Sequence, residues 1–337
     1  MRAAVVGATG YTGALVVQEL VSRGVDLVAI GRSREKLDAL PGDLERRVAD
    51  AGDEASLVRA LAGCDALVTT VGPFVDHGEP VVRAAVEAGV HYIDTTGEQA
   101  FMRTVFERYD RAASSAGIAV VPAIGFDYVP GDMAAALAAQ AAGGTPDRID
   151  VHYLIRKAKA SGGTKRTGMR VAALPCLVWK EGRLVEDRIG GDGRRFLFAE
   201  GEANVALWPG GEPVTVPRHT GARNVSTYMR LPKAASALIR GAGKAASLAQ
   251  PLAGTDGPSP EERGRGRYEV VAVADGVRCT VEGHDMYGMT AAACAEALQR
   301  LADGGPPRAG VLAPAEAFDP AAFLDAMRGH LTWRVGS

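Results

Sequence analysis

Cysteine is scarce and unpatterned: Cys64, Cys176, Cys279 and Cys294 are the four, and no two stand in Cys-x-x-Cys spacing. That argues against a disulfide frame or a zinc site and for reduced thiols in a cytosol, so no metal is expected. Neither sign of charge is in excess, with 38 Lys+Arg against 40 Asp+Glu and a net charge of −2. Without a global basic field, nucleic acid is not an expected partner. No uninterrupted apolar run is long enough to span a bilayer, and a strand candidate starting at residue 3 leaves no room for a signal peptide. A cytoplasmic protein with no transmembrane segment is therefore expected. Internal repeats are lacking too. What is present is 337 residues of 47% hydrophobic content, enough for two domains with large cores.

The chain is organised around its first 33 residues. A short apolar run, Ala3 to Val6, leads into Gly7, Ala8, Thr9, Gly10, Tyr11, Thr12 and Gly13, a candidate dinucleotide loop in Gly-x-x-Gly-x-x-Gly rather than Gly-x-Gly-x-x-Gly spacing. Gly7 is suited to the turn off the strand, Gly10 to close approach of a pyrophosphate, and Gly13 to packing of the following helix on the sheet. That helix is expected over 12–23, its amino end aimed at the phosphates, and Gly24 stops it. A second strand over 25–30 ends in Gly31, Arg32 and Ser33, where an NAD enzyme would carry an acid for the ribose 2′-hydroxyl. No acid stands there. A cation and a hydroxyl favour a 2′-phosphate, with Lys36 one turn on as a second cation, so NADP(H) is the expected cofactor.

Strand and helix signals then alternate. Strands are expected over 44–48, 66–70, 90–94 and 119–121, and helices over 34–40, 53–61, 79–88 and 100–115. Six strands in this rhythm imply an α/β fold with a doubly wound parallel sheet in the order 3-2-1-4-5-6. Three loops leave the carboxyl edge of such a sheet and become cofactor candidates: Asp50, an adenine contact or a plain cap before the next helix; Val71, Gly72 and Pro73, beside the nicotinamide ribose; and Gly97. After the sixth strand two prolines and two glycines fix an irregular path over 122–132, followed by a helix over 133–142. Further on the texture changes to strand candidates at 149–155, 177–185, 195–199, 224–231, 268–274 and 277–281. Helices are expected at 163–174, 233–250 and 289–301, and a polar Gly/Pro connection at 255–267.

A nicotinamide reductase needs an oriented acceptor and a proton donor. Asp127 and Tyr128, on the loop after the sixth strand, are the first candidates for substrate contact, against the plainer roles of turn cap and packed ring. Lys165 and Arg166, at a helix start, could receive a carbonyl or carboxylate or simply face solvent. His219 is a weaker proton-donor candidate, His91 reads as a satisfied interior group, and Tyr92 and Tyr287 have no assigned role. Tyr153 and Lys157 have the Tyr-x-x-x-Lys spacing of short-chain dehydrogenases. That chemistry needs both on one helix face, and a strand here would part them by ~13 Å, so the pair is rejected. The helix expected at 233–250 carries Lys233, Arg240 and Lys244 beside a weak apolar face; it either packs on a core or docks an acidic carrier or membrane surface.

Beyond single residues, the chain resembles the saccharopine dehydrogenase-like NADP-binding proteins, the branch that includes trans-acting enoyl reductases. The matching stretches are GATGYTG at 7–13, GRSREKL at 31–37, VGPFVDHGEPVV at 71–82, HYIDTTGE at 91–98, GFDYVPGD at 125–132, SGGT at 161–164 and VTVPRHTGARNVSTYM at 214–229. The resemblance implies a Rossmann domain, a second α+β domain and NADPH-dependent reduction. The substrate-binding arginine pattern of the lysine-pathway enzymes cannot be placed here. Domains are expected at 1–132 (NADP-binding), 133–288 (α+β substrate domain) and 289–337 (a C-terminal helix and tail packing back on the first). The expected activity is reduction of a C=C (enoyl) or C=N bond in a small-molecule or carrier-linked intermediate. Its alternatives are a saccharopine-type amino-acid dehydrogenase or imine reductase, and a non-catalytic NADP-binding sensor. A homodimer is compatible with each.

Overall fold

The structure, a computed structural model, describes residues 1–172, 175–231 and 257–336. The helix expected at 233–250 lies outside the described residues. The chain divides into two compact units, one of Met1–Thr96, Ala100–Phe126 and Tyr287–Phe318, the other of Gly97–Gln99, Asp127–Met286 and Asp319–Ser337.

The first unit opens with β1 (Arg2–Val6), α1 (Tyr11–Ser22), β2 (Asp26–Gly31), α2 (Arg34–Asp38), β3 (Glu45–Val48) and α3 (Glu54–Ala60). It continues with β4 (Ala66–Thr69), α4 (Phe74–Ala88), β5 (His91–Asp94), α5 (Gln99–Ala116) and β6 (Ala119–Val121). The strands pair in parallel as β3-β2-β1-β4-β5-β6, the order the alternation implies. β4 is buried along its whole length and β1 from Ala3 to Val6, because helices cover both faces of a parallel sheet.

The second unit contains α6 (Val129–Ala141), β7 (Arg148–Arg156), α7 (Gly162–Ala172), β8 (Cys176–Lys180), β9 (Arg183–Asp187) and β10 (Arg194–Phe198). Next come β11 (Gly201–Leu207), α8 (Glu212–Thr220), β12 (Asn224–Arg230), α9 (Pro260–Arg265), β13 (Arg267–Ala274) and β14 (Val277–His284). α10 (Met286–Asp303), β15 (Gly310–Val311) and α11 (Pro314–Ala317) follow, and β15 adds a seventh parallel strand beside β6. α12 (Pro320–Ala326) and β16 (Leu331–Gly336) complete the chain, with β16 pairing antiparallel to β14. The second sheet thus runs β10-β11-β12-β7-β13-β14-β16, with the β8-β9 hairpin attached to β12. α6 is buried from Val129 to Ala139 and packs on β13 and β14, its run of alanines letting the helix lie close to the sheet.

Several expectations need correction. The tail expected to stay with the first domain is divided: Tyr287–Phe318 belongs to the first unit, whereas β16 finds its hydrogen-bonding edge on β14. The single strand expected over 177–185 is a hairpin, because Glu181 (φ 50°) and Gly182 (φ 78°) form a two-residue turn with positive φ at both positions. α8 was not foreseen, since Pro213 and Pro217 and the β-branched Val214, Thr215 and Val216 speak against a helix; burial of these three residues and Pro213 at its first turn override that. In the stretch expected as a plain connection, α9 is held by a reciprocal capping box between Ser259 and Glu262. The helix after the sixth strand begins at Val129, four residues before the expected start. All four cysteines are free and buried. Among the described residues no helix is long and apolar enough to cross a membrane.

One side-chain column ties β10 to the middle of the second sheet. The His152 ring on β7 stacks between Phe196 (3.6 Å, 9°) and Tyr228 (5.1 Å, 13°), with the Arg278 and Arg194 guanidiniums over the outer faces at 4.8 and 4.3 Å. Burial pushes the imidazole down to about 3. The unfolded chain therefore binds a proton at His152 that the folded chain does not, and stability falls as pH drops from about 6.5 toward 3. At about 1.4 kcal/mol per pH unit, this one residue should cost roughly 3 kcal/mol at pH 4. Urea unfolding of His152→Phe should show a loss of stability between pH 7 and pH 4 smaller than the parent's by that order; equal losses would mean that the imidazole is not kept neutral.

Candidate functional site

In the first unit the glycine loop is held by backbone. The Gly7 and Ala8 amides donate to the Ile30 carbonyl at 2.9 and 3.1 Å, and the Gly10 amide to the Gly7 carbonyl at 2.9 Å. Gly7 has φ 84°, and a Cβ on Gly13 would lie 2.1 Å from the Gly7 oxygen. Only glycine at 13 lets α1 come this close. Gly10 caps α1 without a side chain, and the first turn carries no acid, which leaves amide donors and the helix dipole suited to an anion. The next strand's loop meets this one: Thr70 Oγ1 donates to the Gly7 carbonyl at 3.4 Å, and a Cβ on Gly7 would lie 2.6 Å from Val71 Cγ2. Gly72 and Pro73 follow, joined by a cis peptide, and Pro73 caps α4. The Tyr11 ring packs edge-on against Tyr287 of α10 at 5.0 Å, a use for Tyr287 that the sequence did not suggest.

At the end of β2, Arg32 is exposed and paired with no carboxylate among the described residues. Ser33 caps α2, its Oγ accepting from the Lys36 amide at 3.2 Å, so the hydroxyl proton stays available to a ligand. The Lys36 side chain is exposed. Asp50 is not the helix cap: its Oδ1 accepts from the Gly52 amide at 2.8 Å, while Asp53 caps α3.

The residue most conspicuously missed is Asp94, at the carboxyl end of β5. It is fully buried; Oδ2 accepts from the Tyr92 hydroxyl at 2.7 Å, and Oδ1 from the amides of Thr96 and Ala123 at 2.9 and 2.8 Å. Its carbonyl takes the Ile124 amide at 2.7 Å. An acid between an apolar strand and a Thr-Thr-Gly loop was the available signal. His91 is a satisfied group, as expected: Nδ1 accepts from the Ala119 amide at 2.9 Å, and burial lowers its pKa.

In the second unit Asp127, Tyr128 and Gly97 come together. A Cβ on Gly97 would lie 2.7 Å from Asp127 Oδ2, so this carboxyl rests on the bare backbone of Gly97. Asp127 is exposed and has no hydrogen-bond partner among the described residues, and partial desolvation by the protein on its inner side pushes its carboxyl up to about 6. The Tyr128 hydroxyl donates to the Gly97 carbonyl at 2.8 Å, and burial raises this phenol well above its ordinary range. Lys165 stands exposed on α7 and makes no ion pair with Asp127. Deeper, the fully buried Glu212 accepts from the hydroxyls of Tyr153 (2.5 Å) and Thr227 (2.7 Å), with its carboxyl pushed up to about 7 by burial. Beside it His219 Nε2 lies 3.1 Å from the buried Asp132. Tyr153 is a strand residue and Lys157 (φ 52°) lies past the end of β7, as the rejection of that pair required.

The family model described as the saccharopine dehydrogenase NADP binding domain matches residues 3–121. The chain carries a saccharopine dehydrogenase NADP binding domain. It is similar to a trans-acting enoyl reductase of Mycobacterium ulcerans, 34% identical over 165 residues that make up 46% of this chain and 36% of that protein. It is also similar to a lipid droplet localized protein of Caenorhabditis elegans, 35% identical over 144 residues, 38% of this chain and 34% of that one. The matches thus span about a third of the length of these relatives. Among solved structures, apo saccharopine dehydrogenase (L-Glu forming) of Saccharomyces cerevisiae superposes with a TM-score of 0.65 over 100% of both chains at 14% identity, a likeness of fold.

The geometry of the NADP-binding domain fits its name. Gly13 lets α1 rest against the Gly7 carbonyl, so the amides at the start of α1 would face a pyrophosphate, and the exposed Arg32 and Lys36, without an ion pair among the described residues, would supply charge for a 2′-phosphate. Gly13→Ala should therefore weaken NADPH binding at least tenfold, read by quenching of intrinsic fluorescence, because α1 must move off the loop. Unchanged affinity would place the pyrophosphate elsewhere.

Proposed function

We propose that this chain is an NADPH-dependent reductase of a C=C (enoyl) or C=N bond in a small or carrier-linked intermediate, with Asp127 as its proton donor. The reading is carried by one observation: Arg32, without an ion pair among the described residues, stands with Ser33 at the end of β2, within the stretch that matches the NADP binding domain model. The enoyl alternative takes further support from the name of the mycobacterial relative.

When bound, the cofactor supplies a hydride. The chain's own share is to hold the acceptor and deliver a proton to the atom beside the one reduced. Tyr128 is poorly placed for that, because its proton points to the Gly97 carbonyl. Glu212 is enclosed, both oxygens bonded to hydroxyls. Asp127 alone of the three combines solvent contact, no hydrogen bond and a carboxyl near 6. As an acid it gives up the Oδ proton to the developing carbanion or to the anionic amine nitrogen, leaving a carboxylate that solvent reprotonates.

Replacing Arg32 by Ala and Ser33 by Asp should weaken NADPH roughly 10- to 100-fold and change NADH less than twofold, since a charge-assisted partner of the 2′-phosphate is lost and a carboxylate faces it. Fluorescence titration with both nucleotides reads this, and binding of neither by the parent protein would end the proposal.

The proton-donor assignment has its own test. A donor must be protonated, so turnover should fall as pH rises through about 6. With NADPH and trans-2-octenoyl N-acetylcysteamine thioester, or an amino acid plus keto acid for the C=N reading, Asp127→Asn should lower kcat on the order of 100-fold and abolish that limb. NADPH affinity should hold. Full turnover in the variant would remove Asp127 from the chemistry.

A further inference from the structure

Gly97 was expected as a cofactor contact, yet Gly97–Gln99 belongs to the second unit although the chain on either side belongs to the first. The cause is Gln99. Its buried amide donates to the carbonyls of Leu177 (2.8 Å) and Gly210 (2.6 Å), and its Oε1 accepts from the Leu177 amide at 2.8 Å. Three of the four hydrogen-bonding positions of this side chain are thus used on two backbone segments, one entering β8 and one leading to α8. Tyr128 adds a fourth tie through its 2.8 Å bond to the Gly97 carbonyl and reaches the Pro209 carbonyl at 3.4 Å. The result is a three-residue segment clamped at both ends, whose bare Cα forms the seat of the Asp127 carboxyl.

We propose that Gln99 and Gly97 are positioning residues: Gln99 pins the segment, and the missing side chain of Gly97 lets Asp127 settle against its backbone in the posture of a proton donor. This rests on the reading of Asp127 given above. Gly97 has no positive φ, so backbone conformation does not demand glycine; the neighbouring carboxyl does. A methyl at 97 meets the movable end of a side chain rather than main chain, so the fold survives and Asp127 gives way. Displaced from its seat, the carboxyl is better hydrated and easier to ionise. The other titratable groups about it are Glu98 in the segment itself, Tyr128 beside it, Glu212 on α8 and Tyr153 on β7.

The test follows the carboxyl directly and needs no substrate. Protein labelled with carboxyl-13C aspartate is titrated by NMR, the Asp127 signal being the one missing from Asp127→Asn. The parent should titrate near 6. Gly97→Ala should titrate at least one unit lower while its dissociation constant for NADPH stays within twofold of the parent's. Gln99→Met, which removes the clamp and keeps the bulk, should move the signal in the same direction. An identical titration in Gly97→Ala and parent, a parent midpoint near 4, or a tenfold loss of NADPH affinity without a shift in the signal would each overturn the proposal. A parent that binds no NADPH refutes the reductase reading instead, and the titration still decides the seat.

Discussion

The Asp94 carboxylate is the interaction on which the working edge of the first unit hangs. Both of the places where the chain leaves that unit in its first half, after Thr96 and after Phe126, take their course from it: one oxygen receives the amides of Thr96 and Ala123, and the residue's carbonyl receives Ile124. Ala123 is held at φ 67°, a conformation that alanine rarely adopts and that requires such fixing. Complete burial of a carboxylate is costly, and here two amides and the Tyr92 hydroxyl replace the lost water. Beyond this anchor the first exit carries Gly97 and the second carries Asp127, the two residues that meet in the second unit. Two loops far apart in sequence are thus held at their departure from the first unit by a single acid.

Desolvation, which makes Asp94 expensive, also sets the chemistry of the second unit. Glu212 and Asp127 are both pushed upward by burial, to about 7 and about 6. What separates them is bonding. The oxygens of Glu212 are engaged by Tyr153 and Thr227, and a Cβ on Gly131 or Gly210 would lie 2.3 or 2.4 Å from them, so the group is walled in by backbone. A carboxyl in that state organises the packing of α6, α8, β7 and β12 but has nothing to exchange a proton with. Asp127 is exposed, and its oxygens take no hydrogen bond among the described residues. An enclosed, hydrogen-bonded carboxyl is thus a structural acid, and an exposed one without such bonds is a candidate donor.

The first unit was legible because each step is local. An apolar run, a glycine, an amphipathic helix and another apolar run repeat, and most strands pair with the next one in sequence through a short crossover, β4 returning to β1 and β15 to β6 being the exceptions. The position of Arg32 just past the end of β2 could also be read locally. What escaped depended on partners distant in sequence. Asp94 looks like any strand-end acid until Ala123 is beside it, and Gln99 gives no sign in the sequence that it grips Leu177 and Gly210. α8 was hidden by Pro213 and Pro217, and β16 by its separation from β14 in sequence, which only the register Val281↔Trp333 reveals. In the second unit the sheet is assembled from antiparallel pairs plus one parallel pair, β7 with β12, joined across some seventy residues. No local pattern specifies that pairing.

The Tyr153 and Lys157 spacing shows how far geometry overrules motif. In a short-chain dehydrogenase such a pair works because a helical turn lets the cation lower the phenol's pKa. Here β7 carries Tyr153 inward to Glu212, and burial with that carboxyl beside it drives the phenol upward, the opposite of what a donor near neutrality requires. Tyr128, with its proton on the Gly97 carbonyl, is raised as well. Both phenols are therefore fixed as neutral hydrogen-bond donors to protein groups. Asp127, resting on Gly97, differs from both phenols in making no hydrogen bond among the described residues.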